Sequence, residues 1–207
     1  MKTAVRVTAI VGSYRKGRII DIAVDEILAG AREQGAEVEK IYLIDKRIEF
    51  CRNCRTCTQQ PGPERGRCII DDEMGDIMEA IERSTALVLA SPMNFGTVTA
   101  VTKRFIERLV CFAYWPWGKS SPRIRNKEKR KRAVVVASTA APSFIARASS
   151  KLVGFLKDTA SILGAKTIGV VFIGLAARQE RQDIGARVRK KARRMGKRLA
   201  SGGLLSD

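Results

Sequence analysis

Ile10-Val11-Gly12-Ser13-Tyr14-Arg15-Lys16-Gly17-Arg18 joins an apolar run to an amphipathic one through a glycine-bearing turn. Residues 4–11 are mostly apolar and β-branched, which predicts a strand buried on both faces. Downstream, Ile19, Ile20, Ile22, Ala23, Ile27 and Leu28 recur at helical spacing. A strand that turns directly into a helix presents the free N–H groups of the first helical turn, where the macrodipole favours an anion. Ser13 and Arg15 add donors beside it. The pattern is neither GxGxxG nor GxxxxGKS/T, so dinucleotide and nucleotide-triphosphate sites lose their usual support, and a single terminal phosphate fits better. A βα turn that binds nothing is the alternative.

Strand and helix alternate through the rest of the chain. Further strands are predicted over 37–44, 85–90, 133–137 and 167–173, and helices over 74–83, 98–110, 144–163 and 184–200. Five such units give a parallel sheet with right-handed crossovers and helices on both faces. The expected fold is α/β, a flavodoxin-like doubly wound five-stranded sheet of order 2-1-3-4-5. Residues 1–207 would then form one domain, with a cysteine-bearing insertion at 45–72 and a basic C-terminal helix. In that winding, flavodoxin itself being the standard case, the ligand sits at the carboxyl ends of strands 1, 3 and 4. The loops there are 12–18, 91–96 and 138–142.

The net charge is +18, concentrated in two blocks. Residues 119–132 hold eight basic side chains against Glu128, and residues 181–198 hold nine against Asp183. Solvated surface is the simplest reading of both. No aromatic residue interleaves the second block, so nucleic acid is not the expected partner. Histidine is absent, which excludes hydrolytic arrangements that need an imidazole base. No apolar run approaches the ~20 residues of a membrane span, Arg6 interrupts the N-terminal apolar run so that no signal peptide is expected, and five cysteines suit a reducing interior. A cytoplasmic location is expected.

The motifs then resemble the NAD(P)H-dependent FMN reductase family of the flavodoxin-like superfamily. Gly12-Ser13-Tyr14-Arg15-Lys16-Gly17 is similar to the family's G-S-x-R-x-x-G phosphate loop, and Ser91-Pro92-Met93-Asn94-Phe95-Gly96 to its S-P-x-Y-x-G flavin loop. Lys103, Arg104, Phe105 and Arg108 are similar to its K-x-F-x-D-R helix. The resemblance implies FMN as cofactor, NAD(P)H as co-substrate, and electrons passed to a quinone, a flavin or a redox protein. It places FMN against Ser13, Arg15, Gly17, Arg18, Ile19 and Ile20, then Pro92, Met93, Asn94, Phe95 and Gly96, then Ser138, Thr139 and Ala140. The N–H groups of Asn94, Phe95 and Gly96 would face the flavin's polar edge. Where the family continues with Asn-Thr or Asn-Ser, this chain has Ile19-Ile20, so phosphate falls to Ser13, Arg15, Arg18 and backbone N–H groups. Asn94 stands where the family has Tyr. Since the flavin carries the chemistry, no catalytic side chain is required.

Cys51, Cys54 and Cys57, at C-x2-C-x2-C spacing with Cys68 ten residues on, extend the resemblance to iron–sulfur flavoproteins. Their more compact motif binds a 4Fe-4S cluster; zinc and no metal remain open for these four thiols. Cys111 reads as a buried small hydrophobe. The alternatives to a reductase are an electron-transferring iron–sulfur flavoprotein and a non-enzymatic scaffold using its basic surface. Relatives are commonly oligomers, which implies a homodimer or homotetramer, and Phe112, Tyr114, Trp115 and Trp117 are the expected contact.

Overall fold

A computed structural model describes residues 4–125, 127–128, 130–142 and 151–201. Five parallel strands form the sheet: β1 (Arg6–Val11), β2 (Glu37–Tyr42), β3 (Ala86–Pro92), β6 (Lys131–Ser138) and β7 (Ala165–Ile173). Their order is β2-β1-β3-β6-β7, the predicted winding once two short strands are set aside. Those two, β4 (Ala113–Tyr114) and β5 (Arg123–Ile124), pair antiparallel and were not expected from the sequence.

Side chains alternate across a strand, so each strand feeds two cores. Val7, Ala9 and Val11 pack beneath α1 (Ile19–Arg32) and α5 (Ala186–Ala200). Ile10, Leu87, Leu89 and Val135 pack on the other face, under α2 (Met74–Arg83), α3 (Ala100–Arg108) and α4 (Leu152–Ile162). The part of the expected 144–163 helix before residue 151 lies outside the described residues. No described helix is long and apolar enough to cross a membrane.

The second basic block is the outer face of α5, and much of it is paired. Arg189 and Arg193 bind Glu26, while Arg193 and Lys197 bind Glu33, both acids on α1. The two helices approach backbone to backbone: a Cβ on Gly196 would lie 1.8 Å from the Ile27 carbonyl oxygen. Register aligns the strand ends, with Val11 opposite Ala90, Pro92 opposite Ser138 and Ser138 opposite Ile173. Every loop leaving the sheet's carboxyl edge therefore starts at one level.

Candidate active site

The loops after β1, β3 and β6 line a cleft of about 240 Å³ at that edge. Its floor is the start of α1. Arg18 is extended and caps nothing with its side chain, and the first helical bond runs from the Ile22 N–H to the Arg18 carbonyl at 2.8 Å. The N–H groups of Ile19, Ile20 and Asp21 thus have no helical acceptor and are free for an anion. Arg15 and Arg18 pair with no acid among the described residues, whereas Lys16 is tied to Asp45 at 2.5 Å. The Ser13 hydroxyl is engaged locally, accepting the Arg15 N–H at 3.2 Å and donating to the Arg15 carbonyl at 3.1 Å.

A buried hydroxyl group set fixes this loop against the next. Thr99 Oγ1 donates to the Gly12 carbonyl at 2.6 Å and lies 2.7 Å from Thr102 Oγ1, which in turn reaches Ser91 Oγ at 3.3 Å. A Cβ at Gly12 would fall 1.7 Å from Thr102 Oγ1, so only glycine allows this approach. The resemblance did not single out Thr99; its signal was its place before the α3 run, as an N-cap that accepts the Thr102 N–H.

Asn94 and Thr97 exchange both backbone hydrogen bonds, at 3.0 and 3.1 Å, around Phe95 (φ 48°) and Gly96 (φ 77°). Positive φ at both central residues makes this a tight primed turn. The Asn94 N–H, expected to face the flavin, is spent in that turn; its side chain still lines the cleft beside Pro92 and Met93. Ser138, Thr139 and Ala140 line the opposite side. Ser13, Arg15, Arg18, Ile19 and Ile20 complete the set, while Gly17, Phe95 and Gly96 are not part of the lining. A fourth wall was missed: Ala176, Ala177, Gln179, Glu180 and Gln182 after β7. It is hung from the third loop by Leu175 N–H to Ala141 O (3.0 Å) and Ala176 N–H to Thr139 O (2.8 Å). No periodic pattern marks such a segment in sequence.

The thiols occupy the 45–72 insertion, and all five cysteines are free. Cys57 is buried and Cys54 exposed, with Cys51 and Cys68 between these extremes. Burial pushes the Cys57 thiol up to about 11, reinforced by the nearby Cys68, Cys51 and Cys54. The Thr56 hydroxyl hydrogen bond holds Cys54 below its ordinary value. The loop is anchored by guanidiniums. Arg55, in the left-handed region at φ 59°, is stacked on Trp115 (3.9 Å) and Trp117 (4.2 Å) and donates to the Trp115 carbonyl at 2.6 Å. Arg125 donates to the carbonyls of Cys57 and Cys111, at 3.0 and 3.1 Å. Among the described residues no three cysteine, aspartate or glutamate side chains form a ready metal site.

The family model for NADPH-dependent FMN reductase matches residues 5–177. The chain belongs to that family. The match takes in the whole thiol loop and every predicted cleft residue, and it stops inside the fourth wall, before α5. An iron–sulfur flavoprotein of Archaeoglobus fulgidus is 33% identical over 111 residues, 54% of this chain and 48% of that protein. One from Methanosarcina thermophila is 29% identical over 105 residues, 51% and 52% of the two chains. The chain spans about half the length of the curated relatives it matches. Among solved structures, an NAD(P)H:quinone oxidoreductase from Methanothermobacter marburgensis superposes with TM-score 0.61 at 18% identity, over 96% of this chain and 98% of that one. This FMN reductase family member therefore shares the flavodoxin-like fold across nearly all of its length.

Proposed function

We propose that the chain is an FMN-dependent oxidoreductase that draws electrons from a reduced pyridine nucleotide and hands them to an acceptor. The carrying observation is the cleft itself, where three free N–H groups of α1 and two unpaired guanidiniums meet at the carboxyl edge of β1, β3 and β6. That donor set suits the terminal phosphate of FMN, and the apolar Met93 and Ala140 suit a ring. Bound there, FMN supplies the hydride and electron chemistry. The protein's share is binding and orientation: Arg15 and Arg18 neutralise phosphate, Ile19 and Ile20 contribute main chain in place of amide or hydroxyl side chains, and the turn at Phe95 presents unspent N–H groups.

The test is a flavin titration of the purified chain with Arg15→Ala beside it. Wild type should bind FMN and oxidise NADPH or NADH in the presence of a quinone or dye. Arg15→Ala should weaken FMN by about 1.5–3 kcal/mol, the scale of a hydrogen bond to a charged group. A chain that binds no FMN after reconstitution favours the basic scaffold instead.

A second reading rests on the thiols, which surround Cys57 closely enough to raise its pKa from three sides. Four thiols and no histidine form a donor set that suits a 4Fe-4S cluster, which would add a one-electron carrier. Cys51, Cys54, Cys57 and Cys68 would hold it. Anaerobic iron and sulfide analysis after reconstitution decides this, and iron near zero refutes it.

A further inference from the structure

Arg108 closes α3 with a side chain 2% exposed, against an Asp72 side chain that is 0% exposed. The pair is bidentate: Nη1 to Oδ2 at 2.5 Å and Nη2 to Oδ1 at 3.1 Å. Nη1 also donates to the Glu49 carbonyl at 2.9 Å, and Nη2 to Cys68 Sγ at 3.5 Å. Asp72 accepts the Glu49 N–H at 2.7 Å and the Met74 N–H at 3.2 Å. One ion pair thus joins both stems of the thiol loop and touches one of its four sulfurs. A buried ion pair is weak as a stabilising device, because desolvation consumes most of its attraction and well-packed apolar residues do as well. Apolar residues would not supply a donor to sulfur. Among the described residues Arg108 is the only guanidinium in hydrogen-bond contact with a cysteine sulfur; Arg55 and Arg125 bind carbonyls.

We infer that Arg108 is a positioning residue for Cys68, holding that thiolate in the ligand set and raising the reduction potential of the group bound there. The inference rests on the cluster reading above. A hydrogen bond to a ligating sulfur stabilises the more negative, reduced state, so removing it lowers the potential. The ten-residue spacer between Cys57 and Cys68 fits this role. With so long a connection the fourth sulfur is not placed by chain geometry, and the Arg108–Asp72 pair places it from outside.

The experiment is anaerobic reconstitution of the full chain with ferrous iron and sulfide, followed by EPR-monitored redox titration. Arg108→Gln combined with Asp72→Asn leaves no lone buried charge. It should still take up iron, with the reduction equilibrium shifted tenfold or more toward the oxidised state, about 59 mV for one electron. Arg108→Lys, which keeps the charge, should recover part of the shift. An unmoved potential in the double variant overturns the inference and leaves the cluster standing. A wild-type chain that takes up no iron overturns the cluster reading, and the inference falls with it. If circular dichroism shows the double variant unfolded, wild type labelled with 15N-arginine decides: hyperfine coupling of the reduced cluster to a guanidinium nitrogen supports the contact, and its absence overturns it.

Discussion

Asp21 sits three residues into α1 with 3% of its surface exposed, yet it is charged. Burial would raise its pKa; hydrogen bonds from the Lys40 ammonium, the Gly17 N–H and the Tyr42 hydroxyl outweigh that and hold it below the ordinary 3.8. The bond to Gly17, at 2.6 Å, pulls the phosphate loop back onto the helix, as the third residue of a capping box does. A carboxyl with a lowered folded pKa contributes stability that is complete above its unfolded value and drains as pH falls below 3.8 toward the folded value. Asp21→Asn should therefore cost about 1–3 kcal/mol at pH 7 and flatten the acid limb of the stability profile. Urea melts at pH 7 and pH 3 measure both effects, and a variant as acid-sensitive as its parent refutes the assignment. Little of this was visible in sequence. Asp21 reads there as an unremarkable acid in a first turn, because Lys40 and Tyr42 reach it only through the pairing of β1 with β2.

At the scale of elements, the buried strands were the legible part. The runs through Val7, Leu87 and Val134 have no polar interruption except Thr8, and only strands covered on both faces tolerate that. The loops were legible where a motif carried them and illegible where contact spans the chain. The segment holding Trp115 and Trp117 was expected to meet another subunit. Phe112, Tyr114 and Trp115 are instead half-buried on their own chain, and both tryptophans stack on Arg55, sixty residues away. No local pattern encodes that pairing, and the two-residue strands β4 and β5 are too short to show a period. The clamp should couple the aromatic segment to the thiol loop. A double-mutant cycle of Arg55→Ala and Trp115→Ala should give a coupling energy of about 0.5–2 kcal/mol, the range for a cation over an aromatic face. Each single variant should also speed proteolysis between residues 51 and 68. Additive effects within error would show that the stacking contributes nothing.

Across the whole molecule, charge and exposed rings point to different surfaces. Much of the basic C-terminal block is satisfied by α1, so it is a poor candidate for the partner surface. The rings lie by the two candidate sites instead: Phe95 is fully exposed beside the cleft, Phe50 is 69% exposed next to Cys51, and Trp117 is 66% exposed on the clamp. Phe95 matters most, because a bulky side chain at φ 48° occupies a left-handed conformation that glycine or asparagine would hold at less cost. A strained turn that presents a phenyl ring to water is explained when something covers that ring, and a second copy of the chain can do so while shielding the cleft. The expected result is a homodimer or homotetramer in light scattering at micromolar concentration. Phe95→Ala and Trp117→Ala should shift it toward the monomer, with circular dichroism unchanged. A wild-type mass of one chain, with and without FMN, refutes the assembly. An assembly that survives both substitutions keeps its stoichiometry but loses these rings as its contact, and the strain at Phe95 must then serve the ligand alone.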